Sequence, residues 1–261
     1  MNHKRKYPVI SFLLVVLFLS AQSYGQQSSD WKLEKMPEEL ETDFALSALP
    51  PHLRQHATVY LMDPVKGFYI GRKGTNGFVC FVSRTDWEWA EFRKDLATPI
   101  SFDAEGAKTI FQVYLDVAAM RASGHFSPSQ IKDTVMTRIR KGIYKAPGRT
   151  GISYMLAPEM RVYTGKPDNK TVVTMSLPHY MIYAPYVTPE EVGFDYGAQE
   201  GPALLNPGQW LLGDGKGPFG YIIMIASEKE KEKIAREGQE LMQRLAAYKP
   251  YLKVESSSGH H

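Results

Sequence analysis

Ala57-Thr-Val-Tyr-Leu-Met-Asp63, Gly67-Phe-Tyr-Ile-Gly-Arg-Lys73, Gly74-Thr-Asn-Gly77 and Phe78-Val-Cys-Phe-Val-Ser-Arg84 are the segments whose reading decides the fold. Their apolar runs are rich in Val, Ile, Tyr and Phe, the residues that suit a pleated, half-buried surface. Asp63-Pro64 and Asn76-Gly77 break them. Asn-Gly between two such runs is a hairpin signal, because both residues tolerate positive φ. The stretch therefore predicts a three-strand antiparallel meander with a basic, glycine-rich tip at Arg72, Lys73 and Gly74.

Helical signals follow downstream. Asp103 reads as an N-cap, with Glu105 in the first turn facing the helix dipole. Ala107, Ile110, Phe111, Tyr114, Leu115 and Ala118 recur at three and four, an apolar stripe that Gly124 stops. Ser127-Pro128-Ser129-Gln130 restarts a helix with a capping box and Pro at its first position, and Gly142 ends it. The second half returns to strands at 151–156, at 160–163 with 170–176, at 178–185 and at 221–226. A Gly- and Pro-rich connection from Val187 to Gly217 interrupts them, and Ser227 caps a charged last helix. The aromatic segment 85–96, with Trp87, Trp89 and Phe92, reads as a loop or helical turn. Strands that pair with sequence neighbours give an α+β fold, mainly an antiparallel sheet with a helical hairpin packed on one face and a C-terminal helix.

The N-terminus carries a targeting signal. Lys4-Arg5-Lys6 is a basic n-region, Val9 to Leu19 an apolar h-region, and Ser23-Tyr24-Gly25 places small residues for cleavage before Gln26. The expected division is a signal peptide over 1–25, an extended lead-in over 26–44, one domain over 45–226, a C-terminal helix over 227–254 and a disordered tail over 255–261. The mature chain is expected to be exported to the periplasm or beyond, with no membrane span left. Losing Lys4, Arg5 and Lys6 takes the formal charge from +3 to zero, so nucleic acid is not an expected partner. The lone Cys80 sits mid-strand and reads as a packed thiol.

No chemistry-bearing motif covers the chain. Gly215-Lys-Gly-Pro-Phe-Gly220 has GxGxxG spacing, but it leads into a strand rather than a helix, which excludes a dinucleotide fingerprint. Ser29-x-x-Lys32 and Ser129-x-x-Lys132 match a serine–lysine dyad without its Lys-Thr-Gly partner. His52 and His56 share the i,i+4 spacing of zinc sites, without an adjacent Glu or a third ligand; no metal or other cofactor is expected. Two constellations remain. Arg72, Lys73, Asn76 and Arg84, with Tyr183, are candidates to hold a small polar or anionic ligand at the glycine tip. His179, with Asp103 or Glu105, is the candidate acid–base pair of a metal-independent hydrolase, provided that Tyr180, Ile182 and Ala184 form the core face of their strand and His179 looks outward.

Five blocks carry a resemblance. They are Ala45-Leu-Ser-Ala-Leu-Pro-Pro-His-Leu-Arg54, Gly74-Thr-Asn-Gly-Phe-x-Cys80, Asp103-Ala-Glu-Gly106, Gly151-Ile-Ser-Tyr-Met-Leu-Ala-Pro158 and Pro178-His-x-Met-x-Tyr-Ala-Pro-Tyr186. As a set they resemble a family of exported bacterial proteins of uncharacterised activity. The resemblance implies one exported domain over about Ala45 to Ala226 and makes the C-terminal helix an addition to it. The expectation is a binder of a small polar or anionic ligand, with a hydrolase and a cell-envelope interaction protein using Trp87 and Trp89 as alternatives.

Overall fold

The structure, a computed structural model, describes residues 32–193, 203–205, 211 and 216–254. The expected signal peptide, the start of the expected lead-in, the expected tail and most of the Gly/Pro-rich connection lie outside these residues. The first strands are β1 (Thr58–Asp63), β2 (Gly67–Arg72), β3 (Val79–Ser83) and β4 (Thr98–Phe102). Next come β5 (Ile152–Met155), β6 (Met160–Tyr163), β7 (Val172–Met175), β8 (His179–Tyr183), β9 (Ala203–Leu205) and β10 (Tyr221–Ile225). An eight-stranded sheet runs β2-β1-β3-β4-β5-β8-β10-β9, and β6 and β7 form a separate hairpin. All pairs are antiparallel except β1 with β3. The fold is α+β.

The meander expected over 57–84 is corrected at its second turn. β3 lies beside β1, not β2, and runs parallel to it, with Thr58 opposite Val79. Asn76-Gly77 makes no two-residue hairpin turn. The Asn76 carboxamide instead accepts from the Phe78 amide, and only Gly77 has positive φ, +81°. The 73–78 connection passes under the start of β1, where the Thr75 and Asn76 amides both donate to the His56 carbonyl. The first turn is an Asx turn: Asp63 Oδ1 accepts from the Val65 and Lys66 amides.

β3 and β4 are buried along their whole length, so helices must cover both faces. On one face lie α3 (Ala104–Lys108), α4 (Phe111–Ser123) and α5 (Pro128–Arg140). Phe81, Phe102, Phe111, Val117, Ile131 and Val135 form its core. The expected caps are present: Asp103 accepts from the Glu105 and Gly106 amides, Gly124 closes α4 at φ +68°, and Ser127 with Gln130 makes the capping box. The other face carries an unexpected helix. α1 (Glu38–Ser47) occupies much of the presumed lead-in, with Leu40, Phe44 and Ala45 packed on Val59, Cys80 and Val82. Pro50 and Pro51 then start α2 (Pro51–Arg54).

β4 was hidden in the sequence by Pro99, since proline is normally confined to sheet edges. Pro99 is tolerated because β5 pairs only with Ser101 and Phe102, so no ladder bond is demanded of its missing N–H on that side. After β8, α6 (Pro189–Val192) opens the long connection. The single C-terminal helix is also corrected: it is two, α7 (Glu228–Glu237) and α8 (Gln239–Tyr248). Leu245 and, just beyond, Leu252 are buried with α1, so this segment completes the second core.

Two carboxylates sit inside the fold with no ion pair among the described residues. Glu41 Oε1 accepts from the Met62 amide, while its Oε2 and Glu159 Oε1 have no hydrogen-bond partner among the described residues. Burial pushes Glu41 to about 7 and Glu159, 1 % exposed, to about 8. Both values lie above those of the unfolded chain. The stability that depends on their protonation is complete in acid and is lost as pH rises through about 7 and 8. Urea unfolding should show a loss of about 3 kcal/mol between about pH 5 and pH 9, and Glu159→Gln should flatten the upper part of that slope. An unchanged slope in the variant would show that Glu159 is already solvated.

Candidate functional site

The expected ligand residues at the glycine tip are scattered and spent on backbone. Arg72 Nη2 donates to the Arg54 and Ala57 carbonyls at 2.5 and 3.1 Å. Asn76 Nδ2 donates to the Leu53 carbonyl at 2.8 Å. Arg84, 4 % exposed at the far end of β3, donates to the Leu96 and Lys94 carbonyls at 2.6 and 2.9 Å. Only Lys73 extends into solvent. These side chains pin loops to the sheet and form no joint anion site.

The expected acid–base pair does not form either. The buried face of β8 is His179, Met181 and Tyr183, the reverse of the expectation. His179 is 6 % exposed, its Nδ1 is 2.6 Å from the Leu177 carbonyl, and burial lowers its pKa. Among the described residues it hydrogen-bonds no carboxylate. Asp103 serves structure: Oδ1 accepts from the Glu105 and Gly106 amides and the Tyr183 hydroxyl, and Oδ2 from the Ile152 amide. Glu105 accepts from the Gly148 amide at 2.7 Å. Tyr183 belongs to this cluster and not to a ligand site. His52 and His56 are exposed, and among the described residues no group of three or more His, Cys, Asp or Glu side chains is placed for a metal ion. Trp87 is buried, and Trp89 stacks on Tyr163 at 4.6 Å and donates to the Asn169 carbonyl, so both indoles are engaged within the molecule.

The structure opens a cleft elsewhere, of about 610 Å³, within the size range of small-molecule sites. Its floor is the second face of the sheet, where Tyr154 on β5 and Tyr180 on β8 meet edge to face at 5.7 Å. One wall is the end of α1 with α2, carrying Leu49, His52 and Arg54; the other is α7 and α8, carrying Glu230, Lys233, Ile234, Glu237 and Leu241. Gly238, between these two helices, lets them approach the strands, because a Cβ there would lie 2.7 Å from Pro158. Arg244 on α8 ties the walls together by its ion pair with Asp43 on α1, at 2.7 Å.

Charge in the cleft is divided. Arg54 donates through Nε to the Leu49 carbonyl and through Nη2 to the Ser47 carbonyl, at the negative end of α1. Its Nη1 keeps no hydrogen bond among the described residues, and burial lowers its pKa while Glu237 raises it. The Tyr180 hydroxyl donates to Glu230, which raises the tyrosine pKa along with burial. The Tyr154 hydroxyl has no partner among the described residues, and burial raises its pKa. An aromatic floor between two walls that each carry both signs of charge, Asp43 and Arg54 on one and Glu230, Lys233, Glu237 and Arg244 on the other, is complementary to a small polar molecule that carries both donors and acceptors.

Sequence reasoning missed this cleft because its residues come from four separated segments. Ser47, His52 and Arg54, Tyr154 and Leu156, and Tyr180 stand far apart along the chain and meet only in the fold. No family model matches the chain, and no curated protein or solved structure does either. Among the described residues no helix is long and apolar enough to cross a membrane.

Proposed function

We propose that this chain is an exported binding protein that takes a small polar ligand into the cleft between α1–α2 and α7–α8. The ligand directs an anionic or acceptor group towards Arg54 and His52 and a donor towards Glu237. The observation that carries this reading is the convergence of Tyr154, Tyr180 and Arg54, from separate segments of the chain, on one 610 Å³ space. Export rests on the leader read at Lys4 to Gly25, with a mature chain of zero formal net charge.

A thermal-shift screen of small anions, sugars, amino acids and metal ions tests it. At about 100 times its dissociation constant a ligand stabilises by about 3 kcal/mol, which raises the melting temperature by roughly 5 °C or more in a chain of this size. Such a shift is expected for the wild type and should persist in His179→Ala and Arg72→Ala. It should vanish in Ile234→Trp, which fills the cleft. A shift lost in Arg72→Ala and kept in Ile234→Trp would place binding at the glycine tip and refute the cleft.

A further inference from the structure

The cleft between α1–α2 and α7–α8 leaves one charge of each sign without an opposite charge. Among the carboxylates that line it, Asp43 pairs with Arg244 at 2.7 Å and Glu237 with Lys233 at 3.9 Å. Glu240, one turn before Arg244 on α8, adds to the hold of Asp43 on the same guanidinium. Glu230 has no ion pair among the described residues, and its carboxylate accepts from the Tyr180 hydroxyl. Arg54 also has no ion pair among them. Its Nε and Nη2 donate to the Leu49 and Ser47 carbonyls at 2.8 and 3.4 Å, which leaves Nη1 without a hydrogen bond there. Both side chains are half-buried, where an unpaired charge costs more than on the open surface.

These two charges lie apart. Glu230, in the first turn of α7, stands at the ring pair of Tyr180 and Tyr154, whose centroids are 5.7 Å from each other. Arg54 belongs to the other end of the helix: burial lowers its pKa and the charge of Glu237, the last residue of α7, raises it. Two helical turns, about 10 Å of axis, separate Glu230 from Glu237. The matching guest carries a cation and an anion several ångströms apart. An organic ammonium suits the Glu230 end, where a carboxylate meets aromatic rings. A carboxylate suits the fork of Arg54. A free α-amino acid holds both charges on one carbon and cannot reach both ends. An extended peptide advances about 3.3 to 3.6 Å per residue, so two or three residues bridge the gap. Its amides then supply the donor that faces Glu237.

Resting on the reading of the cleft as a ligand site, we propose that its ligand is a short peptide, held by its N-terminal ammonium at Glu230 and Tyr180 and by its C-terminal carboxylate at Arg54. Both contacts are to the termini, so the side chains of the peptide are free to vary and its length is not.

Isothermal titration calorimetry with trialanine tests the proposal, and saturable binding is the expected result. N-acetyl-trialanine, trialanine amide and free alanine should each bind about tenfold or more weakly, since each loses a charged contact. Glu230→Gln keeps an acceptor for the Tyr180 hydroxyl and removes the charge. It should weaken trialanine about tenfold and leave the affinity for N-acetyl-trialanine unchanged. Ile234→Trp should abolish binding. No heat with trialanine, blocked peptides that bind as tightly as the free one, or binding that survives Ile234→Trp would each overturn the proposal. A different compound that stabilises the wild type and not Ile234→Trp would still make the cleft a binding site, so the two failures are told apart.

Discussion

Gly74→Ala should cost the protein most of its stability, more than about 4 kcal/mol by urea unfolding. A Cβ at this position would sit 2.2 Å from the His56 oxygen and the Ala57 carbonyl carbon, and 2.4 Å from the Thr58 nitrogen. Those atoms are backbone at the entry to β1 and cannot turn aside as a side chain would. The same peptide receives the Thr75 and Asn76 amides, and Gly74 itself donates to Thr58 Oγ1. Moving it would open the crossover that sets β3 parallel to β1. Gly124→Ala is the control: φ is +68° with nothing within 4 Å, so the cost is about 1 kcal/mol of backbone strain. A Gly74→Ala protein within about 1 kcal/mol of wild type would mean that the crossover is drawn too tightly.

Asp103→Ala should be nearly as damaging, by about 3 to 5 kcal/mol. The carboxylate accepts four bonds, from three backbone amides and the Tyr183 hydroxyl, and so joins the start of α3 to β5 and β8. Alanine strands the three amides in a half-buried site, while the Tyr183 hydroxyl keeps the Ile152 carbonyl at 2.9 Å. Asn keeps an oxygen for the cap and loses the acceptor facing Ile152, so Asp103→Asn should cost about 1 to 2 kcal/mol. Tyr183→Phe should fall in the same range, and a double-mutant cycle should give a coupling of about 1 kcal/mol or more between Asp103 and Tyr183. Additive losses would show that the hydroxyl contact is not formed. The cluster also explains two glycines: a Cβ at Gly106 would lie 2.2 Å from the Tyr183 oxygen, and one at Gly151 would lie 2.4 Å from Asp103 Oδ2.

Much of the fold was legible because its signals are local. The α4–α5 hairpin follows from apolar spacing with Ser127-Pro128 and Gly124, and the β6–β7 hairpin from its flanking runs. What escaped depends on distant contacts. Asn76-Gly77 is a sound hairpin signal, but the peptide at His56–Ala57 captures the turn and sends β3 across β1. Leu40 and Phe44 do share a helical face, yet the acidic run around them, with Glu41 buried, reads as solvated. The sequence alone leaves the side of His179 open, because either face of β8 is apolar enough to be core; the α3–α5 layer chooses the face. The cleft was not legible, since spacing along the chain says nothing of Tyr154 meeting Tyr180, or of Arg54 and Glu237 lining one cleft.

The most direct test of the account is methyl-labelled NMR of the wild type, titrated with each compound that raises its melting temperature. The account predicts that the methyls of Leu46, Leu49, Leu156, Ile234 and Leu241, which line the cleft, shift together and saturably, while those of Leu61 and Ile70 near the glycine tip stay fixed. Shifts confined to the neighbourhood of Arg72 and Gly74, or cleft methyls that no stabilising compound moves, would contradict it.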